Sequence, residues 1–208
     1  MNTPWQVAIL ARAAVPGAAK TRLVPRIGVE RAAALQAHLT ELALQRVRDA
    51  GAACRLWIAG PIDSATCRLA DSYGAELRVQ PDGDLGDRML AALLDAQARG
   101  LRSLVIGTDC PAQRPEHLVE ACQLLETHDV VLQPALDGGY VLIGAAAAHA
   151  ELFRDIRWGS DTVLAATRAR CAALRWRCAE LQPLPDLDRP DDMDLALARG
   201  WIDATAFA

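Results

Sequence analysis

No two of the six cysteines stand in a CxxC spacing, and a 208-residue chain that is 52% apolar can bury a sizeable core without a disulfide framework. The thiols are expected to be reduced and mostly buried. No segment approaches the ~20 apolar residues needed to span a bilayer. The apolar run that starts at Trp5 is closed by Arg12 before it is long enough for a signal-peptide core with its cleavage site. These absences predict a soluble, cytoplasmic protein with no membrane partner. Lysine and arginine are scattered and the formal net charge is −4, so there is no electrostatic footprint for a nucleic-acid backbone. Nucleic acid is not expected as a partner.

Missing motifs narrow the chemistry further. Counting back from Lys20, the two glycines of a Walker P-loop would fall at Ala14 and Ala19, and no GxGxxG dinucleotide fingerprint follows the first apolar run. There is no HExxH, no nucleophile elbow and no Cys–His pairing, so none of His38, His117, His128 and His149 is given an acid–base role.

What is present is alternation. Short apolar runs at residues 5–12, 54–59, 76–79, 103–107, 130–133, 140–143 and 176–181 predict strands. Segments of helical period at 29–50, 64–73, 85–99, 115–126, 161–174 and 190–199 lie between or after them. The alanine-rich stretch 145–148 reads as a helix start. Strand and helix in turn imply one domain over residues 1–208, a three-layer α/β/α architecture with a mostly parallel central sheet. In such sheets ligands lie beyond the carboxyl ends of the strands, and those loops hold nearly all the unusual residues.

The loop after the first strand carries Arg12, a Pro16-Gly17 turn, Lys20 and Arg22, cations suited to phosphate oxygens and to charge that develops in a transition state. A second strand delivers Gly107-Thr108-Asp109-Cys110-Pro111. A carboxylate there suits Mg²⁺ or Mn²⁺, or it caps the helix that follows. Asp186 or Asp188 could complete a metal site, whereas Asp191 and Asp192 read as first-turn acids favoured by the helix dipole. Asp137-Gly138-Gly139-Tyr140 is a tight turn in which the acid could accept sugar or acceptor hydroxyls, and it serves equally as an ordinary hairpin turn. The segment from Gln80 through Gly83 and Gly86 to Arg88 sits where a base edge could be read by backbone groups. Trp158 is placed on the acceptor side, with Ser160 or Asp161 as alternative caps for the next helix.

In this order Pro16-Gly17, Lys20-Thr21-Arg22-Leu23, Gly83-Asp84-Leu85-Gly86, Gly107-Thr108-Asp109-Cys110-Pro111, the Pro134 to Tyr140 turn and Asp186-Leu187-Asp188-Arg189-Pro190-Asp191-Asp192 resemble the bacterial family DUF2064, also described as radical-SAM/selenodomain-associated transferase 1 and, in some members, as arsenosugar-biosynthesis glycosyltransferase. More distantly the chain is similar to 2-phospho-L-lactate and molybdenum-cofactor guanylyltransferases, which share the GT-A-type nucleotide-diphospho-sugar transferase fold. The resemblance implies that fold, a nucleotide across the first strand ends with Lys20 and Arg22 on its phosphates, and Mg²⁺ or Mn²⁺ held by Asp109 and Asp188. Arg12, Gly17, Gln80, Gly86 and Thr108 are expected at the nucleotide as well, and Asp137, Gly138, Gly139, Tyr140 and Trp158 at the acceptor. The chain departs from the family in Arg12, Ala14 and Cys110, where Lys, Pro and Ser are common, and it lacks the guanylyltransferases' glycine-rich first loop. The implied partners are a nucleotide or nucleotide-sugar and a small-molecule acceptor. The leading expectation is a glycosyltransferase that releases a nucleoside diphosphate. The alternatives are a nucleotidylyltransferase that releases pyrophosphate and a non-catalytic nucleotide-binding protein.

Overall fold

The first strand, β1 (Trp5–Arg12), has apolar residues on both faces, the pattern of a strand covered by helices above and below. Its partners bear this out: in the computed structural model, which describes residues 4–207, β1 pairs in parallel with β2 (Ala53–Ala59) on one side and β4 (Arg102–Ile106) on the other. With β3 (Glu76–Val79), β5 (Val130–Pro134), β6 (Tyr140–Ala145) and β7 (Cys178–Glu180) they form one seven-stranded sheet in the order β3-β2-β1-β4-β6-β5-β7. Only β6 runs antiparallel to its neighbours, because the short turn after β5 folds it straight back.

The path of the chain explains where the helices lie. From β1 it moves outward to β2 and β3 through α2 (Val29–Asp49) and α3 (Ser64–Ser72), which pack with α5 (Pro115–Leu124) against Val7, Ile9, Leu56 and Ile106 on one face. To reach β4, on the other side of β1, it crosses the opposite face as α4 (Leu85–Gln97). There Met89, Ala92 and Leu93 pack with residues of α6 (Val163–Ala173) on Ala8, Val105 and Ile143. Right-handed crossovers on the two faces produce this reversal, and a crevice opens between the carboxyl ends of β1 and β4. A short α1 (Val24–Ile27) and α7 (Pro190–Ala198) complete a third cluster in which Leu187, Met193 and Phe207 pack on Leu23, Leu35 and Leu39.

Three boundaries differ from the sequence reading. Ala145 closes β6 rather than opening a helix, since its pairing with Val130 and Ser103 continues that far. The next helix is one 3-10 turn at Ala150–Phe153, capped by the His149 ring accepting from the Glu151 N–H. α6 begins at Val163 with Thr162 as N-cap and no side-chain cap, so neither Ser160 nor Asp161 caps it. β7 is only three residues long because Val130–Leu132 is all that it pairs with. No described helix is long and apolar enough to cross a membrane, and the six cysteines are free thiols, four of them buried.

Candidate functional site

The first loop is pinned by the only lysine of the chain, Lys20, whose backbone sits at φ +46°. The Lys20 side chain is 4% exposed, and its ammonium donates to the Leu187 carbonyl at 2.5 Å and pairs with Asp109 Oδ1 at 2.9 Å. The Leu187 N–H in turn donates to the Asp109 carbonyl at 2.6 Å. Three segments far apart in sequence are thus locked together at the carboxyl end of β4. Asp109 is held from the other side as well, because Gln36, buried on α2, donates to Thr108 Oγ1 at 3.1 Å and that hydroxyl donates to Asp109 Oδ1 at 3.0 Å. Asp109 keeps half of its side-chain surface exposed, and Oδ1 takes both contacts. It does not cap α5, whose N-cap is Arg114.

Below Asp109 the turn through Gln113 is fixed by Arg46 of α2, which donates to the Gln113 carbonyl at 2.5 Å and the Cys110 carbonyl at 3.2 Å. Burial lowers the Arg46 pKa to about 10 and pushes the Cys110 thiol up to about 12. Buried Gln113 donates to buried Gln133 at 2.8 Å, which ties this turn to β5.

These elements frame a cleft of about 740 Å³ at the β1/β4 crevice. Arg12, Lys20, Arg22, Gln80, Thr108, Asp109, Asp137, Gly139, Tyr140, Trp158 and Asp188 line it, so most of the sequence-selected residues meet in one place. Gly17, Gly86 and Gly138 do not line it. Gly86, on the first turn of α4, makes room for Trp158, since a Cβ there would stand 2.7 Å from the indole ring. Gly138, at φ +92°, is pressed against the Asp161 carbonyl, and its own carbonyl accepts from the Leu164 N–H at 2.9 Å. Both shape the cleft wall without facing it. Gln80 donates to the Ala11 and Trp57 carbonyls at 3.0 and 2.9 Å, so its amide splices strand ends rather than pointing free into the cleft. Asp137 Oδ1 accepts from the Gly139 N–H at 2.9 Å, and the Tyr140 hydroxyl points at Met89 Sδ, 3.9 Å away, with its pKa raised by burial.

The two acids expected to bind a metal are ion-paired, Asp109 with Lys20 and Asp188 with Arg22. Among the described residues no group of three or more His, Cys, Asp or Glu is gathered to hold an ion. No histidine lines the cleft.

Gln36, Arg88 and Asp186 also line the cleft; the sequence reading gives Gln36 no role, Arg88 only a place in the segment that could read a base edge, and Asp186 only a place as an alternative to Asp188. Gln36 left a trace in the sequence, a polar side chain on the apolar stripe between Leu35 and Leu39. Asp186 titrates above its ordinary value, first because it is partly buried and then because Asp137, Asp192 and Asp109 repel its charge. Asp192, whose carboxylate accepts from the Asp188 and Arg189 N–H groups at 3.1 and 2.7 Å, caps α7 as its place in the first turn implied.

The family whose sequence model matches residues 42–160 is described as "Uncharacterized protein conserved in bacteria (DUF2064)". No curated protein matches the chain in sequence. A candidate nucleotide-diphospho-sugar transferase from Desulfovibrio desulfuricans G20 superposes with a TM-score of 0.84 at 27% identity, over 96% of this chain and 88% of that one. A cytidylyltransferase from Leptospira borgpetersenii serovar Hardjo-bovis strain JB197 shares the fold at TM-score 0.61 and 14% identity, over 99% and 90% of the two chains. Rv0371c from Mycobacterium tuberculosis H37Rv, solved as a manganese complex, does so at 0.54 and 16%, over 93% and 98%.

Proposed function

This chain belongs to the DUF2064 family, and we propose that it is a metal-assisted glycosyltransferase that takes a sugar from a nucleoside-diphosphate donor. It is a transferase of the nucleotide-sugar or nucleotidyl kind, a reading supported by the names of its structural relatives from Desulfovibrio and Leptospira. One observation carries the reading: a cleft at the β1/β4 reversal lined by the cations of the first loop and by the half-exposed Asp109 carboxylate, to which one of them, Lys20, is paired. Cations aimed at a departing diphosphate stabilise charge where it develops, which is the largest single contribution in such reactions.

The cations divide by role. Lys20 is immobilised by Asp109 and Leu187, so it acts by holding Asp109 and the loop in register. The Arg22–Asp188 pair is well exposed on both sides, and such pairs contribute about 0–1 kcal/mol. Incoming phosphates can therefore draw Arg22 away and release Asp188. Arg12 and Arg88 stand ready on the same side of the cleft. Mg²⁺ or Mn²⁺ fits an oxygen donor set of Asp109 and Asp188, completed by substrate phosphate and water in the manner of Mg²⁺ sites, and would supply charge neutralisation at the diphosphate. The first loop holds a single glycine, Gly17, where a nucleotidylyltransferase of the guanylyl kind would be glycine-rich, and this favours glycosyl transfer.

A thermal-shift screen of nucleoside-diphosphate sugars against nucleoside triphosphates, each with and without Mg²⁺ or Mn²⁺, tests the reading. A ligand at about 100 times its dissociation constant stabilises by ~2.7 kcal/mol. A metal-dependent shift with a diphosphate-sugar is expected; a shift confined to a triphosphate would replace the reading with nucleotidyl transfer. Asp109→Asn, which keeps an oxygen acceptor for Lys20 and Thr108 but removes the ion pair, is expected to abolish turnover with the donor so identified and to lower the melting temperature of the free protein without unfolding it, because the buried Lys20 ammonium loses its carboxylate.

A further inference from the structure

Charge is unevenly divided along the cleft. Lys20 and Arg22 are neutralised by Asp109 and Asp188, and Asp84 caps α4 by accepting from the Asp87 N–H. The charged side chains on its lining without an ion pair among the described residues are Arg12, Arg88 and Asp84 at one end and Asp137 and Asp186 at the other. The sheet order separates them: Arg12 ends β1 and Arg88 lies on α4, whereas Asp137 sits in the β5–β6 turn and Asp186 follows β7 on the far side of β4.

The helix that carries Arg88, α4, also gives the cleft an apolar floor. Leu85, 44% exposed, and Met89 line the cleft with Tyr140 and Trp158. The Trp158 indole N–H is buried and has no hydrogen-bond partner among the described residues. The Tyr140 hydroxyl lies 3.9 Å from the Met89 thioether, a weak acceptor, and also meets the Thr167 hydroxyl. An unpartnered indole N–H, an apolar floor and two carboxylates without ion pairs suit a ligand with an apolar body and an oxygen or amine group. They repel a phosphate.

We propose that the acceptor is a neutral or cationic molecule with an apolar body, seated on Trp158 and Tyr140 beside Asp137, and not a phosphorylated compound. The inference rests on the donor-and-acceptor reading of the cleft and names the chemical class of the second substrate. A phosphorylated acceptor would bring a second anion beside the donor's diphosphate, at the end of the cleft where no unpaired cationic side chain meets it.

The test uses the whole protein labelled with 5-fluorotryptophan. The Trp158 resonance is identified by its loss in Trp158→Phe, or by elimination with the other four Trp→Phe variants. Three probes of similar shape are titrated, 2-phenylethanol, 2-phenylethylamine and phenyl phosphate. The alcohol and the amine are expected to move the Trp158 resonance with dissociation constants at least about tenfold below that of phenyl phosphate. Asp137→Asn should reduce the advantage of the amine over the alcohol about fivefold, the effect of one charge pair at ~4 Å in a water-like medium. Phenyl phosphate acting at equal or lower concentration, or none of the three moving the resonance, overturns the proposal. Absence of any nucleotide-induced thermal shift while the probe ranking holds would defeat the transferase reading alone. A nucleotide shift with the ranking reversed would defeat the acceptor class alone.

Discussion

Lys20 illustrates how a residue chosen for one role can serve another. A cation after the first strand suggests direct phosphate contact, yet its ammonium is engaged by Asp109 and the Leu187 carbonyl. Replacing it by Met leaves that buried carbonyl unsatisfied, so Lys20→Met should lower stability by about 1–3 kcal/mol in urea titrations. It should also weaken the metal-dependent nucleotide shift, because Asp109 loses its anchor. Arg46→Ala is expected to lower stability by about 2 kcal/mol or more in the same titrations, since two carbonyls beneath the site lose a charged donor at once. Cys110, next to Asp109, has its thiol pushed up to about 12 by burial, and the thiolate is the reactive form. Alkylation of the native protein followed by peptide mapping should therefore label the partly exposed Cys67 and spare Cys110 until denaturant is added.

At the level of elements, the proposed acceptor end depends on how the β5–β6 turn meets the segment that leads into α6. Gly138 combines a backbone that L side chains rarely adopt with a Cβ position 2.1 Å from the Asp161 carbonyl, so no side chain fits unless α6 moves. Gly138→Ala should be less stable by about 2 kcal/mol or more by thermal or urea unfolding, and should shift the Trp158 fluorine resonance in the absence of any ligand. Periodicity alone located nearly every strand and helix, with Trp5–Arg12 and Glu76–Val79 matching their expected limits. It failed at Ala145 and at the ends of β7, where hydrogen bonding to a neighbouring strand decides how long a strand is.

For the whole molecule, the decisive event is the return of the C-terminal segment to α1 and α2. Leu187 and Met193 are buried there against residues of the first quarter of the chain, and this packing delivers the Leu187 carbonyl and Asp188 to the first loop. Met193→Ala, which empties a well-packed contact, should lower stability by about 2–5 kcal/mol and, by loosening the Leu187 anchor, also reduce the nucleotide-induced shift. A loss of stability with an unchanged shift would show that the anchor does not depend on this cluster.

The sequence by itself determined the alternation of elements, the class of the sheet and the strand-end loops where chemistry collects, because periodicity and turn residues act over a few neighbours. It also marked most residues that line the cleft. Which of them are free and which are engaged was settled only by the tertiary structure. The ion pairs Lys20–Asp109 and Arg22–Asp188 join positions about 90 and 166 residues apart, and Gln36 reaches Thr108 from another helix. No local pattern encodes such distances; they follow from the order in which the strands lie side by side and from the cluster that folds the chain's last helix onto its second.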